Sequence, residues 1–390
     1  LTTPDEEIMD QLPLTGTARR ALLRSASCAA ATLALPGLLH AKAESWRIGQ
    51  TAALTGPLAW PFVELNKGVQ AAFEEVNERG GVGGRPLQLL SLDDGGATEK
   101  AAANARQLAE QERALCLFAC GGTSSVLGAM AVVQQARVPL IAPITGVDAL
   151  RAHHPLVIHV RAGYSNELDR IVRQIGTVNM GRCAVAYSDT AFGKAGLAAF
   201  EAVARRHGNT GWKAFLIQDT PQGVRQGIAE IARFAPASYL SLYIGQHSLQ
   251  FARDLRNHVQ APSFALSLLG SEPVLKALGP AGHGMTVAQV VPHPQAGALP
   301  VVGAYQRAMQ KIGHQQFSHA SLEGYVSSRA LIEALRRSSK RDDTGSRLIE
   351  AFHTMQPLDL GGFELDYRPD KHLGSSFVEL TFFNGTRYRR

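Results

Sequence analysis

The chain has 390 residues, 45% of them apolar and 18% charged, with apolar segments spread along its length. That composition describes a globular protein of two or three domains and excludes a disordered or fibrous one. The formal charge is +6, but Arg and Lys stand in ones and twos among Asp and Glu, with no basic stripe carrying interleaved aromatics, so no nucleic-acid partner is expected.

Residues 1–43 read as an export signal. ARRALLR (Ala18–Arg24) is followed by an apolar, small-residue run and then by Ala41-Lys42-Ala43, an A-x-A cleavage pattern. The run is too short for a stable membrane anchor. Arg19-Arg20 with Leu22, Leu23 and Arg24 resembles a twin-arginine signal; an ordinary Sec signal is the alternative. Met9 is a candidate start residue. Cys28 lies inside the apolar run and not after it, so lipidation is not expected. Cys116, Cys120 and Cys183 fall in or beside strand-like segments and read as buried small apolar side chains. His153-His154 and His314/His319 sit in polar stretches without metal-ligand spacing, and neither a metal nor a cofactor is expected.

From Ser45 short apolar runs alternate with amphipathic segments. The pattern predicts strands over 46–54, 87–92, 115–119, 138–142 and 156–160, with helices over 66–79, 97–112 and 124–136 between them. In the first helix Val69, Ala72, Phe73 and Val76 share one face. The alternation restarts with helices over 167–175, 196–206, 224–234 and 249–258, and strands over 183–187, 214–218, 239–244 and 264–268. Such βα alternation means parallel sheets covered by helices on both faces. The end differs: helices over 301–312, 321–337 and 346–353 precede an expected antiparallel pair, 363–368 with 377–383.

The stretch NERGGVGGRPLQLLSLDD (Asn77–Asp94) is dense in glycine but is no phosphate loop. A dinucleotide or P-loop motif follows a strand and opens a helix. Here a helix comes first and a strand follows. Gly80 and Gly81 sit where a helix C-cap wants positive φ, and Asp93-Asp94 are expected to cap the next helix.

The same residues carry a resemblance. IGQTAALTGPLAW, followed by GVQAAFEEVNERGGVGGRPLQLLSLDDGGATEKAAANARQL, resembles the type I periplasmic solute-binding proteins of ABC importers, the leucine/isoleucine/valine group above all. CGGTSSVLGAMAVVQQARVPLIAPIT, YSDTAFGKAGLAAF and GGFELDYRPD continue it in the family's order. The resemblance implies two Rossmann-like lobes joined by three crossings, near Arg161, Val291 and Leu360, with the ligand in the cleft between. Lobe 1 would hold 44–161 and 292–360, lobe 2 162–291 and 361–390. It also implies a monomer that captures a small solute (a branched-chain amino acid or a related acid or amide) in the periplasm for an inner-membrane ABC permease. A ligand sensor of the same fold, serving a signalling receptor, is the alternative.

Ligands of open parallel sheets sit beyond the carboxyl ends of strands, beside helix N-termini. Thr123-Ser124-Ser125 follows a strand and opens a helix; free N–H groups, hydroxyls and the helix dipole together suit a carboxylate. One hydroxyl is explained by N-capping, but three exceed that need. The resemblance places the carboxylate-binding position on Thr123, strand-end contacts near Ile144 and Thr145, the aromatic lid on Phe192, and a second-lobe loop on Gln246 and His247. The acidic partner for a ligand ammonium falls on Ser271 or Glu272; if Glu272 faces away, no carboxylate is expected to remain for it. Trp60 and Phe62 put bulk at the expected cleft mouth, where they either contact ligand or pack the lobe. Gly122-Thr123-Ser124-Ser125-Val126 lacks the last glycine of a nucleophile elbow, and no His/Asp partner is placed, so no enzyme is expected.

Overall fold

A computed structural model describes residues 44–56, 59–152, 154–178, 180–270, 272–338, 344–355 and 357–389. The expected export signal lies outside the described residues.

The first sheet is built from β1 (Trp46–Ala52), β2 (Leu87–Asp93), β3 (Cys116–Phe118), β4 (Leu140–Ile141) and β5 (Val157–Ile158). All pair in parallel, in the order β2-β1-β3-β4-β5. Helices α1 (Trp60–Asn77), α2 (Thr98–Arg106) and α3 (Thr123–Gln135) connect the first four strands, and a π-helical turn, Gln107–Gln111, prolongs α2. α1 starts six residues earlier than the apolar spacing suggests. Pro61 sits in its first turn, where a missing N–H costs nothing, so Trp60 and Phe62 are helical.

Next come α4 (Tyr164–Thr177), β6 (Cys183–Ser188), α5 (Ala191–Arg206), β7 (Lys213–Ile217), α6 (Pro221–Phe234), β8 (Ser238–Leu242), α7 (Ser248–His258), β9 (Ser263–Ala265), α8 (Glu272–Leu278) and β10 (Thr286–Gln289). The chain then returns through α9 (Pro300–Lys311), α10 (His319–Ser338) and α11 (Gly345–His353), and α10 lies along α1. A small hairpin, β11 (Leu358–Asp359) with β12 (Glu364–Leu365), precedes β13 (Glu379–Phe383) and β14 (Tyr388–Arg389). The second sheet has the order β14-β13-β10-β9-β8-β6-β7, antiparallel only at its β13 and β14 edge. Its parallel part repeats the strand order of the first sheet, so each has a switch point where the order reverses: beside β1 and β3, and beside β6 and β8.

Two expectations need correction. The antiparallel pair is not 363–368 with 377–383; β12 pairs with β11, and β13 pairs with β10 and β14. Nor does the last crossing fall near Leu360, because Phe363, Leu365 and Tyr367 are buried in the same core as Trp46, Phe73 and Tyr325. Their apolar side chains hold 363–367 on the first sheet, and the chain reaches the second only at Glu379.

The glycine stretch is a turn. Gly80, Gly81, Gly83 and Gly84 all have positive φ, 92°, 76°, 60° and 79°. Gly81 N–H donates to the Val76 carbonyl and ends α1, and the Val82–Arg85 bridge closes a two-residue hairpin over Gly83 and Gly84. Asp93 and Asp94 do not cap α2, whose N-cap is Ala97. Asp93 accepts from Leu54 N–H, Thr55 N–H and the Thr55 hydroxyl and so pins the loop that leaves β1, while Asp94 accepts from the Thr51 hydroxyl within β1. These bonds hold the Asp93 carboxyl down at about 2. Cys116, Cys120 and Cys183 are free and buried.

Candidate functional site

A cavity of about 340 Å³ lies at the carboxyl ends of both sheets. The first lobe contributes Ala53, Phe62 and the run Gly121–Ser125; the second contributes Ser188, Asp189, Thr190, Phe192, Gln218, Asp219, Ile244 and Gly245. Both switch points therefore open on one space. α3 of the first lobe and α5 of the second lie against each other beside it.

The loop entering α3 is shaped by backbone that side chains disfavour. Ala119, just beyond β3, has φ 49° and Gly122 has φ 93°; in the neighbouring loop Ala142, just beyond β4, has φ 51°. A Cβ on Gly121 would stand 2.4 Å from Phe62 Cδ1, so the ring of Phe62 packs directly on this loop. The result brings the first residues of α3, Thr123, Ser124 and Ser125, to the wall of the cavity.

The helices that start at the cavity are ended in different ways. α5 is capped by Thr190, which accepts from Gly193 N–H, and α6 by Thr220, which accepts from Gly223 N–H. Before α7, the Asp219 carboxylate accepts from Gln246 and His247 N–H. α3, like α1 and α2, has no side-chain cap. The Ser125 hydroxyl is buried, lines the cavity and has no hydrogen-bond partner among the described residues. An uncapped helix end beside an orphaned buried hydroxyl leaves donors without acceptors at this wall of the cavity.

Thr123 is placed differently. Its Oγ1 lies 2.9 Å from Thr145 Oγ1 and 3.0 Å from Tyr164 Oη, and these two stand 3.3 Å apart. A ring of three hydroxyls consumes its own three protons. Opened into a chain running Tyr164 to Thr145 to Thr123, it leaves the Thr123 proton free to point into the cavity.

Other expected residues scatter. Phe192 lines the cavity and stands edge-on to Tyr164, with ring centroids 5.6 Å apart. Phe62 is buried and lines the cavity, whereas Trp60 is 49% exposed and does not. Ile144 is buried and borders a separate, smaller cavity, and Thr145 does not line the main one but bonds to Thr123, which does. Gln246 and His247 do not line the cavity, although Gly245 and Ser248 beside them do. Ser271 lies outside the described residues, and of Glu272 only its place at the start of α8 is described. The expectation that no other carboxylate faces the cleft is corrected by Asp189 and Asp219, which both line it. Burial opposes the charge of Asp219, but bonds from Tyr243, His247 and Gln246 hold its carboxyl down at about 2.

Sequence reasoning missed Asp219, Thr190 and Tyr164. The first two were findable, since each sits in a β–turn–helix junction of the second lobe that mirrors Thr123–Ser125. It also missed the ion cluster at the first crossing. Arg161 is fully buried; its Nη2 donates to Glu167 on α4 at 3.0 Å and to the Ser267 hydroxyl, while its Nη1 lies 3.3 Å from Glu323 on α10. Burial pushes both carboxyl groups upward, against the pull of Arg161.

Two lobes of repeated topology that close on one cavity through a buried hinge define a cleft-type solute-binding protein. The chain belongs to the periplasmic binding protein family, which it matches over residues 45–380. Among solved structures, it is similar to a possible leucine/isoleucine/valine-binding protein from Rhodopirellula baltica SH 1, with 26% identity, a TM-score of 0.84, and coverage of 89% of this chain and 96% of that one. A branched-chain amino acid ABC transporter protein from Thermus thermophilus with bound valine shares the fold at 17% identity and a TM-score of 0.77, covering 89% of this chain and 95% of that one. So does an R. palustris solute-binding protein in complex with benzoate, at 16% identity and a TM-score of 0.76, covering 88% and 95%. No curated protein matches the chain.

Proposed function

We propose that this protein captures a small carboxylate-bearing solute in the periplasm, by closure of its lobes, and delivers it to an inner-membrane ABC permease. The observation that carries this reading is the uncapped start of α3 with the buried, unpartnered Ser125 hydroxyl beside it. The ligand carboxylate would accept from the α3 amides, from Ser125 and from Thr123, with Ser124 at the rim. Phe62, Phe192, Ile217, Ile244 and Leu268 line the same cavity and suit an apolar body such as a branched aliphatic or aromatic group. Valine and benzoate, held by the T. thermophilus and R. palustris proteins, are both acids of this kind. A solute touching both lobes stabilises the closed state by its differential affinity for that state.

The test is a thermal-shift screen with branched-chain and aromatic amino acids, their amides, aromatic acids and dicarboxylates. A true ligand at about 100 Kd adds roughly 2.7 kcal/mol of stability. A carboxylate hit whose affinity drops in Ser125→Ala supports the reading. Silence across all acids, or a hit indifferent to Ser125, removes it.

A further inference from the structure

We propose that the face of the first lobe opposite the cleft carries a second binding site, a groove of about 440 Å³ lined by Arg47, Arg85, Arg113 and Arg137 that takes a small phosphate-bearing polyanion. The cleft lies at the carboxyl ends of the strands; this groove lies at their amino ends. Arg85, Arg47, Arg113 and Arg137 stand at or just before the starts of β2, β1, β3 and β4. Those four strands are successive neighbours in the sheet, so the arginines form a row. With strands about 4.8 Å apart, the row spans roughly 15 Å.

Two of the four are already engaged. Arg47 pairs with Glu112, and Arg85 stacks over Trp46 at 3.9 Å and donates to the Glu44 carbonyl. Arg113 and Arg137 form no ion pair among the described residues. Both stand in the left-handed region, with φ of 49° and 51°, where the chain leaves a helix. Glycine is the usual residue at such a position because it has no Cβ to clash. A backbone that favours glycine carries arginine twice, side by side, facing one groove. The start of α11, Thr344 and Gly345, borders the same groove without a side-chain cap and adds positive potential. Planar guanidinium groups in a row match phosphate oxygens bidentately, and a concave groove selects a soluble anion over a flat bilayer.

The double variant Arg113→Gly/Arg137→Gly separates this role from a structural one. Glycine relieves the left-handed backbone, so the ligand-free variant should melt higher than wild type. The probe is inorganic tripolyphosphate at physiological ionic strength, followed by calorimetry and thermal shift. Wild type should bind and melt higher with it, and the double variant should bind at least about tenfold more weakly. Arg113→Asn/Arg137→Asn, which also tolerates this backbone, serves if the glycine variant does not fold. The proposal is overturned if wild type ignores tripolyphosphate or if binding survives the double substitution. It is equally overturned if anionic phospholipid vesicles capture the protein while tripolyphosphate does not.

Discussion

Replacing Ser125 by alanine should move stability and affinity in opposite directions. Its hydroxyl is 1% exposed at the residue level and has no partner among the described residues, so the ligand-free protein carries the desolvation cost of an unpaired polar group. Such a group costs about 1–3 kcal/mol, and alanine removes it without opening a large void. The ligand-free variant should therefore have a raised urea midpoint at unchanged m-value. Binding should suffer. A hydrogen bond to a charged group contributes about 1.5–3 kcal/mol, which is roughly ten- to a hundredfold in Kd. Urea titration of the ligand-free protein and calorimetry with the solute found by screening measure the two effects separately. A variant that loses stability without ligand, or keeps its affinity, would refute the assignment of Ser125 to the anion.

Three further outcomes follow from neighbouring geometry. Phe62→Ala should cost about 3–5 kcal/mol of stability in urea, since the ring is buried against Gly121, whereas Trp60→Ala should leave both stability and affinity nearly unchanged. Gly122→Ala should destabilise by about 1–3 kcal/mol, because φ 93° is strained for any residue with a Cβ. Burial raises the Glu323 carboxyl above its ordinary 4.5, so the folded state holds a proton that the unfolded chain releases. Its contribution is full below the ordinary value and is lost as pH rises through the raised one; urea midpoints across that window should fall in wild type and stay flatter in Glu323→Gln.

Much of the architecture was legible because parallel strands and their covering helices are written in local apolar spacing. Val69, Ala72, Phe73 and Val76 sit on one buried face of α1 as their 3.6 period requires. The glycine turn was legible for the same reason, since helix–glycine–strand order is a local fact. The site was legible only as far as one βα junction reaches. That Thr123 would meet Tyr164, 41 residues on, depends on how the first crossing sets the start of α4 against Thr145 and Gly146, which no local pattern encodes. Trp60 and Phe62 lie on one helix two residues apart, yet one faces solvent and the other the core. The last crossing was misplaced because Phe363, Leu365 and Tyr367 alternate like any edge strand, and only the tertiary core decides which sheet they join.

The cluster at the first crossing joins both lobes through one cation: Glu167 and Ser267 on the side of the second sheet, Glu323 on α10, which packs along α1. Two carboxyl groups and one guanidinium cannot all be charged without leaving a net negative charge buried. In the proposed capture, movement of the lobes would change the water around that surplus, and with it the proton it holds. Solute capture should then carry a proton inventory, readable as a binding enthalpy that varies with the ionisation heat of the buffer. The hinge would keep its own account of closure in protons, at a point the solute never touches.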